Sequence, residues 1–286
     1  MKFTKLVTSI TLTVGSVLFA ANSAQAASFT SDITQDNGVK GDVFLNSIEQ
    51  NGKTIFERDF SYVDRVVIGD NDEHTKGNTG AASTDHGDDV KGVQRRENLR
   101  EGNASDAENI VEFMGNNNLN KIIDTEDKGN FSIDFLFGNE IESNNLGLDS
   151  LFFWERGFNQ KKQKGNSDLL IQAIDAAGNT IGDDLFLSRK TQQYAGFNIN
   201  TKEIGGTQAV GSWGVSFADL GLSEDRTFAG VRVMSEKAFN GPDYKIIASN
   251  GPSKRPFAKA SVPEPGTIIG LGSVAALAFF RRRKSK

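Results

Sequence analysis

Between residues 131 and 248 large apolar side chains return at every second position, in short runs separated by turn-forming residues. In Phe131-Ser132-Ile133-Asp134-Phe135-Leu136-Phe137 the odd positions are all apolar, so they share one side of an extended chain, as a half-buried strand requires. The same reading predicts strands at 148–154, 168–174, 184–187, 193–199, 211–217, 227–234 and 243–248. The connections carry turn chemistry. Asp175-Ala176-Ala177-Gly178-Asn179 supplies an Asp that can bond its own backbone and a Gly that accepts positive φ, and Gly205-Gly206 and Asn240-Gly241-Pro242-Asp243 act likewise. Helical turns are expected only at 218–222 and around 104–114. Strands so spaced, without long amphipathic helices between them, predict a mostly β fold: an antiparallel β-sandwich of jelly-roll type.

One stretch breaks the pattern. Between Tyr62 and Phe113 there is no Phe, Tyr or Trp, and 70–107 is dominated by Gly, Asn, Asp, Glu and Lys. So polar a segment buries too little apolar surface to offset the entropy of ordering it, so 70–107 is expected to be a long mobile insertion within one domain. The rival reading makes it a linker after a small N-terminal module, but 27–68 is too short to hold a core of its own.

The two ends have patterns of their own. A basic start, Lys2 and Lys5, precedes an apolar run from Leu6 to Ala21 and then Ala24-Gln25-Ala26; small side chains at Ala24 and Ala26 suit signal peptidase, so 1–26 is expected to be a signal peptide cleaved after Ala26. At the other end Val262-Pro263-Glu264-Pro265 precedes an apolar stretch from Gly266 to Phe280 and then Arg281-Arg282-Arg283-Lys284. Fifteen helical residues span about 22 Å, short of a hydrocarbon core of about 30 Å, so this is a marginal transmembrane helix. The basic cluster keeps to the cytoplasm, which places the body outside. The expected organisation is signal 1–26, body 27–261 and tail 262–286.

Pro263-Glu264-Pro265, the short hydrophobic helix and Arg281, Arg282 and Arg283 in that order resemble the PEP-CTERM sorting signal. That resemblance implies recognition and cutting by an exosortase, transient membrane anchoring through the tail, and delivery of the body to the cell surface or an exopolysaccharide matrix. The segment 152–217, with Trp154-Glu155-Arg156-Gly157-Phe158-Asn159, Asn166-Ser167-Asp168-Leu169, Tyr194-Ala195-Gly196-Phe197 and Gly211-Ser212-Trp213-Gly214, resembles the body of cyanobacterial exosortase-dependent surface proteins. It brings no activity with it.

Charge and chemistry narrow the classes further. With 1–26 and everything from Glu264 onward set aside, about 237 residues remain with 25 basic against 36 acidic, a net charge near −11 against −5 for the whole chain. That balance disfavours nucleic acid as a partner and suits solubility. No cysteine is present, which excludes disulfides and thiol catalysis, and His74 and His86 are too few for a multi-histidine metal centre. Asp70, Asp72 and Glu73 are the candidate calcium ligands, but the EF-hand pattern fails, since Thr75 and Ala81 stand where Gly and Glu are needed; a solvated acidic loop and no cofactor is the expectation. Trp154 and Trp213 are the candidate sugar platform, with core packing the favoured alternative. Carboxylate pairs such as Asp183 with Asp184, or Glu155 with Asp168, suit a glycosidase only if they converge, and phosphate-loop, nucleophile-elbow and zincin motifs are absent. The expected role is therefore a non-enzymatic, structural or adhesive surface protein, with a carbohydrate-binding module as the alternative and a glycan-active enzyme third.

Overall fold

The computed structural model describes residues 29–36, 41–71, 82–86, 99–125, 127–128, 130–200 and 206–252. The chain divides into two units, Met1–Pro252 and Ser253–Lys286, and the second lies wholly outside the described residues.

The body is mostly β and its sheets are antiparallel. Strands β1 (Thr30–Gln35), β2 (Val43–Gln50) and β3 (Lys53–Phe56) form one sheet in that order. The short strand β4 (Phe60–Ser61) and the longer β5 (Val63–Asn71) come next, followed by β6 (Ala82–His86), helix α1 (Ala104–Met114), β7 (Lys121–Thr125) and β8 (Phe131–Glu142). The chain then runs through β9 (Leu151–Arg156), β10 (Leu169–Ile174), β11 (Thr180–Leu187), β12 (Gln193–Ile199), β13 (Gln208–Val215), β14 (Thr227–Ser235) and β15 (Tyr244–Ser249). A five-stranded sheet has the order β11-β10-β14-β8-β5, and a seven-stranded sheet has β12-β13-β9-β15-β7-β6 with β4 paired to β15.

Alternation explains how these sheets share their cores. One cluster of buried residues draws Ile133, Phe135, Leu169, Ile171, Val231 and Val233 from the five-stranded sheet and Leu151, Phe153, Trp213, Tyr244 and Ile246 from the seven-stranded one. A second cluster takes the intervening positions of the seven-stranded sheet, Phe152, Trp154, Val210 and Ile247, together with Val43, Leu45, Ile48 and Ile55 of the three-stranded sheet. Strand β9 therefore buries both of its faces, and all six of its residues are buried. That is why it reads as the unbroken run Leu-Phe-Phe-Trp and not as an alternation. The three N-terminal strands have no core of their own; they share one with Phe152 and Trp154.

Between these layers runs a polar link. Gln50, at the end of β2, donates from Nε2 to the Asp149 carboxylate at 2.6 Å and accepts from the Asp149 backbone N–H at 2.8 Å, with both residues buried. Helix α1 opens on Asn103, whose side chain accepts from Asp106 N–H, an N-cap of the usual kind. Its other end is met by the buried Lys245 of β15, whose ammonium donates to the Phe113 carbonyl and to Asn116 Oδ1. A cation at a helix C-terminus satisfies carbonyls that have no partner within the helix.

All eight strands expected between 131 and 248 are present. The second shifts from 148–154 to Leu151–Arg156, because the Asn144 side chain accepts from the backbone of Leu146 and Leu148 and holds that stretch as a turn, while Arg156 stays in the strand by being paired. The Asp175 turn forms as expected: Asp175 N–H donates to Asn179 O, the Asp175 side chain accepts from Ala177 and Asn179, and Gly178 has φ +86°. Within the segment 70–107 expected to be a mobile insertion, Asp70 and Asn71 end β5, 82–86 is a strand paired with β7, and Ala104 opens α1 where helical turns were expected; backbone pairing forms 82–86 without any aromatic group. Residues 72–81 and 87–98 lie outside the described residues.

Candidate functional site

Several of the expected site residues lie outside the described residues: Ala24, Ala26, Asp72, Glu73, Pro263, Glu264, Pro265, Arg281, Arg282 and Arg283. Asp70 is exposed near the end of β5, and the described residues include no group of three or more acids or histidines placed to hold a metal ion. Nor does any described helix have the length and apolarity to cross a membrane.

Both tryptophans are interior, 1 % exposed each. Trp154 donates from its indole N–H to Ser31 Oγ at 2.9 Å and meets the edge of Phe29 at 5.6 Å; Trp213 donates to the Ser188 carbonyl at 3.1 Å. With the polar edge satisfied inside and the rings enclosed in the two cores, neither offers a flat face to a sugar. Both tryptophans pack in the core, the reading favoured from the sequence, and the candidate platform of Trp154 and Trp213 is set aside.

The carboxylate pairs have separate fates. Asp168 is bound to Arg189, with a shortest separation of 2.6 Å. Glu155 is fully enclosed and faces Gln192, whose Nε2 donates to it at 2.9 Å. Burial pushes its carboxyl well above the usual range, with the Gln192 hydrogen bond opposing that shift. The next residue points to the opposite side of the strand: the Arg156 guanidinium, 2 % exposed, reaches Asp124 at 2.8 Å and Asp243 at 2.9 Å and ties β7, β9 and the start of β15 together.

Gln192 fits where it does because two neighbours lack side chains. A Cβ on Gly165 would stand 2.0 Å from Gln192 Oε1, and one on Gly211 would stand 2.2 Å from its Cδ. The buried Glu155–Gln192 pair thus pins two surface segments to one point. One is the turn after Phe158, closed by Asn159 N–H to Lys164 O at 2.8 Å and joined to its neighbour by Gly165 N–H to Arg189 O at 2.7 Å. The other is 188–194, leading into β12.

Where the two segments meet, Tyr194 stacks on Phe158, with ring centroids 5.8 Å apart and planes 26° from parallel. Phe158 is buried beneath, whereas Tyr194 is 37 % exposed. Stacking uses one face of the tyrosine ring, so its exposed area belongs to the other face and the rim. The two segments carry Lys161, Lys162, Lys164 and Lys190, all of them exposed, and none forms an ion pair with another described residue. The sequence contained a signal for this feature that the strand pattern hides: Gln160-Lys161-Lys162-Gln163-Lys164 is a basic run in an acidic chain, and Tyr194 falls on the polar parity of β12, opposite to Ala195, Phe197 and Ile199. A shallow groove of about 230 Å³ elsewhere, between β5 and α1, is lined by Asp64, Arg65, Val66, Ala107, Glu108 and Val111 and mixes both charges.

Residues 261–284 match the PEP-CTERM protein-sorting motif. No curated protein and no solved structure matches the chain. The motif is a substrate signal for exosortase and implies an exported, surface-associated protein with a C-terminal anchor. It covers Pro263-Glu264-Pro265 and the arginines 281–283.

Proposed function

We propose that this is a structural or adhesive protein of the cell surface or extracellular matrix. Its body, a β-sandwich of jelly-roll type, is freed of residues 1–26 by signal peptidase and of its tail by exosortase. The observation that carries the reading is the sorting motif at 261–284. Support comes from the body, where the ionisable groups inside the fold, Arg156, Glu155 and Lys245, have partners from neighbouring strands or the helix and serve to hold elements together. The resemblance to cyanobacterial-type surface proteins and a matrix of exopolysaccharide belong to the same reading.

Intact-mass measurement of the protein recovered from the cell surface tests it. An N-terminus at Ala27 and a C-terminus near Val262 are expected. Surface material that retains Arg281 to Lys286 counts against removal of the tail, and a wholly intracellular protein counts against display.

A further inference from the structure

The geometry points to a binding site for an acidic polysaccharide at Tyr194, with the tyrosine ring as the stacking face and Lys161, Lys162, Lys164 and Lys190 as the partners of its carboxylates or sulfates. The inference rests on the surface role proposed above and names a ligand class and a place for it.

Three features carry the argument. First, the aromatic face is fixed in orientation: Tyr194 lies on Phe158, and Phe158 is itself buried. A ring held this way gives up little conformational freedom when a sugar ring stacks on it. Second, the charge is local and opposite to that of the whole: four exposed lysines occupy two adjoining segments of a chain whose net charge is −5. The acids that flank the lysine turn in sequence do not cancel it, because Asp168 is tied to Arg189 and Glu155 is enclosed within the fold. Third, the two segments are set against each other from beneath by Gln192, which Gly165 and Gly211 admit and Glu155 holds. The place of the ring relative to the lysine turn is thus built in and does not depend on the ligand.

A glycan fits better than a nucleic acid. One aromatic ring and four amines on two adjoining segments suit a polymer of stacked sugar faces carrying occasional negative groups. A nucleic-acid strand, charged at every phosphate, calls for a continuous basic track with several stacking rings, and the acidic remainder of this chain opposes it.

The test uses the purified full chain in a detergent-containing buffer, with alginate, a polyuronate, as probe, dextran as the neutral glycan and a thymidine oligonucleotide as the nucleic acid. Alginate is expected to bind, with affinity falling as salt rises, and dextran to bind at least tenfold more weakly. Tyr194→Ala is expected to weaken alginate binding at least tenfold and Tyr194→Phe to keep it. The triple change Lys161→Gln, Lys162→Gln, Lys164→Gln should remove both most of the binding and its salt dependence. These residues are on the surface, so circular dichroism spectra should match the parent chain. Absence of alginate binding, or binding that survives both Tyr194→Ala and the triple change, overturns the proposal. Tighter binding of the oligonucleotide through the same residues overturns it in favour of nucleic acid. The assay is independent of cellular location, so its failure and a failure of surface display are separately visible.

Discussion

The carboxyls of Asp149 and Glu155 are shifted upward for the same reason: each is buried where an ionised carboxylate is poorly solvated, and one amide side chain, Gln50 or Gln192, only partly compensates. Burial pushes Asp149 up to about 7 from an ordinary value of 3.8, and Glu155 moves in the same direction. A carboxyl whose folded value is raised makes the folded state the one that binds more protons, so stability falls as pH rises from the unfolded value towards the folded one. Denaturant midpoints are therefore expected to decline between about pH 4 and pH 7. Asp106 shifts the opposite way, through its hydrogen bond with Arg100, and its contribution is already complete at the lower end of that window. Asp149→Asn should reduce the decline, and adding Glu155→Gln should reduce it further, read by urea denaturation at a series of pH values. A pH dependence that Asp149→Asn and Glu155→Gln both leave unchanged would show that these acids are ionised in the fold. The tryptophans give a second prediction at this scale. Trp154→Ala or Trp213→Ala should each cost about 3–5 kcal/mol, as loss of a large enclosed ring does, measured as a lower denaturation midpoint.

At the scale of elements, Arg156 joins three strands through two carboxylates. Arg156→Ala removes the guanidinium that Asp124 and Asp243 share and is expected to destabilise by about 3–5 kcal/mol. The loss should be largest in hydrogen exchange at β7, which otherwise meets β15 only at Ile123 opposite Tyr244. Gly211→Ala tests the seat of Gln192: the added methyl has no room, and a cost of about 1–3 kcal/mol is expected from forcing the side chain aside. Strands from 131 onward were legible because most of them have a solvent side, which leaves alternation in the sequence. The N-terminal half was not, although Asn51-Gly52, with φ +51° and +68°, marks a two-residue hairpin loop between β2 and β3 that the dipeptide alone suggests. What no local pattern carries is the partner of that hairpin, since Val43, Leu45 and Ile48 find their core on residues about 100 positions further along. The tyrosine site was hidden for a related reason. Tryptophan was the obvious platform residue, and the sequence alone does not distinguish a ring stacked at the surface from one enclosed by a second sheet.

For the whole molecule, sorting and folding are written in different parts of the chain. The motif was readable from residue order alone because exosortase recognition depends on a short linear signal. The body's layers, by contrast, depend on pairings between distant strands. Among these, β15 stands inside the seven-stranded sheet, paired with β9 on one side and with β7 and β4 on the other, although it is the last described strand. A chain ending at residue 242 is therefore expected to lack a cooperative unfolding transition and to be cut rapidly by protease, whereas one ending at residue 252 should keep both properties of the full chain.

The position of β15 also sets an order of events. In a chain that leaves the cell N-terminus first, neither core can close until Tyr244–Ser249 has emerged, and Pro263 follows Ser249 by only fourteen residues. Long-range pairing of this kind is slow compared with local structure, so the body completes its fold at about the time the sorting tail reaches the membrane. On the proposed route, retention by the tail gives β15 time to insert between strands already outside.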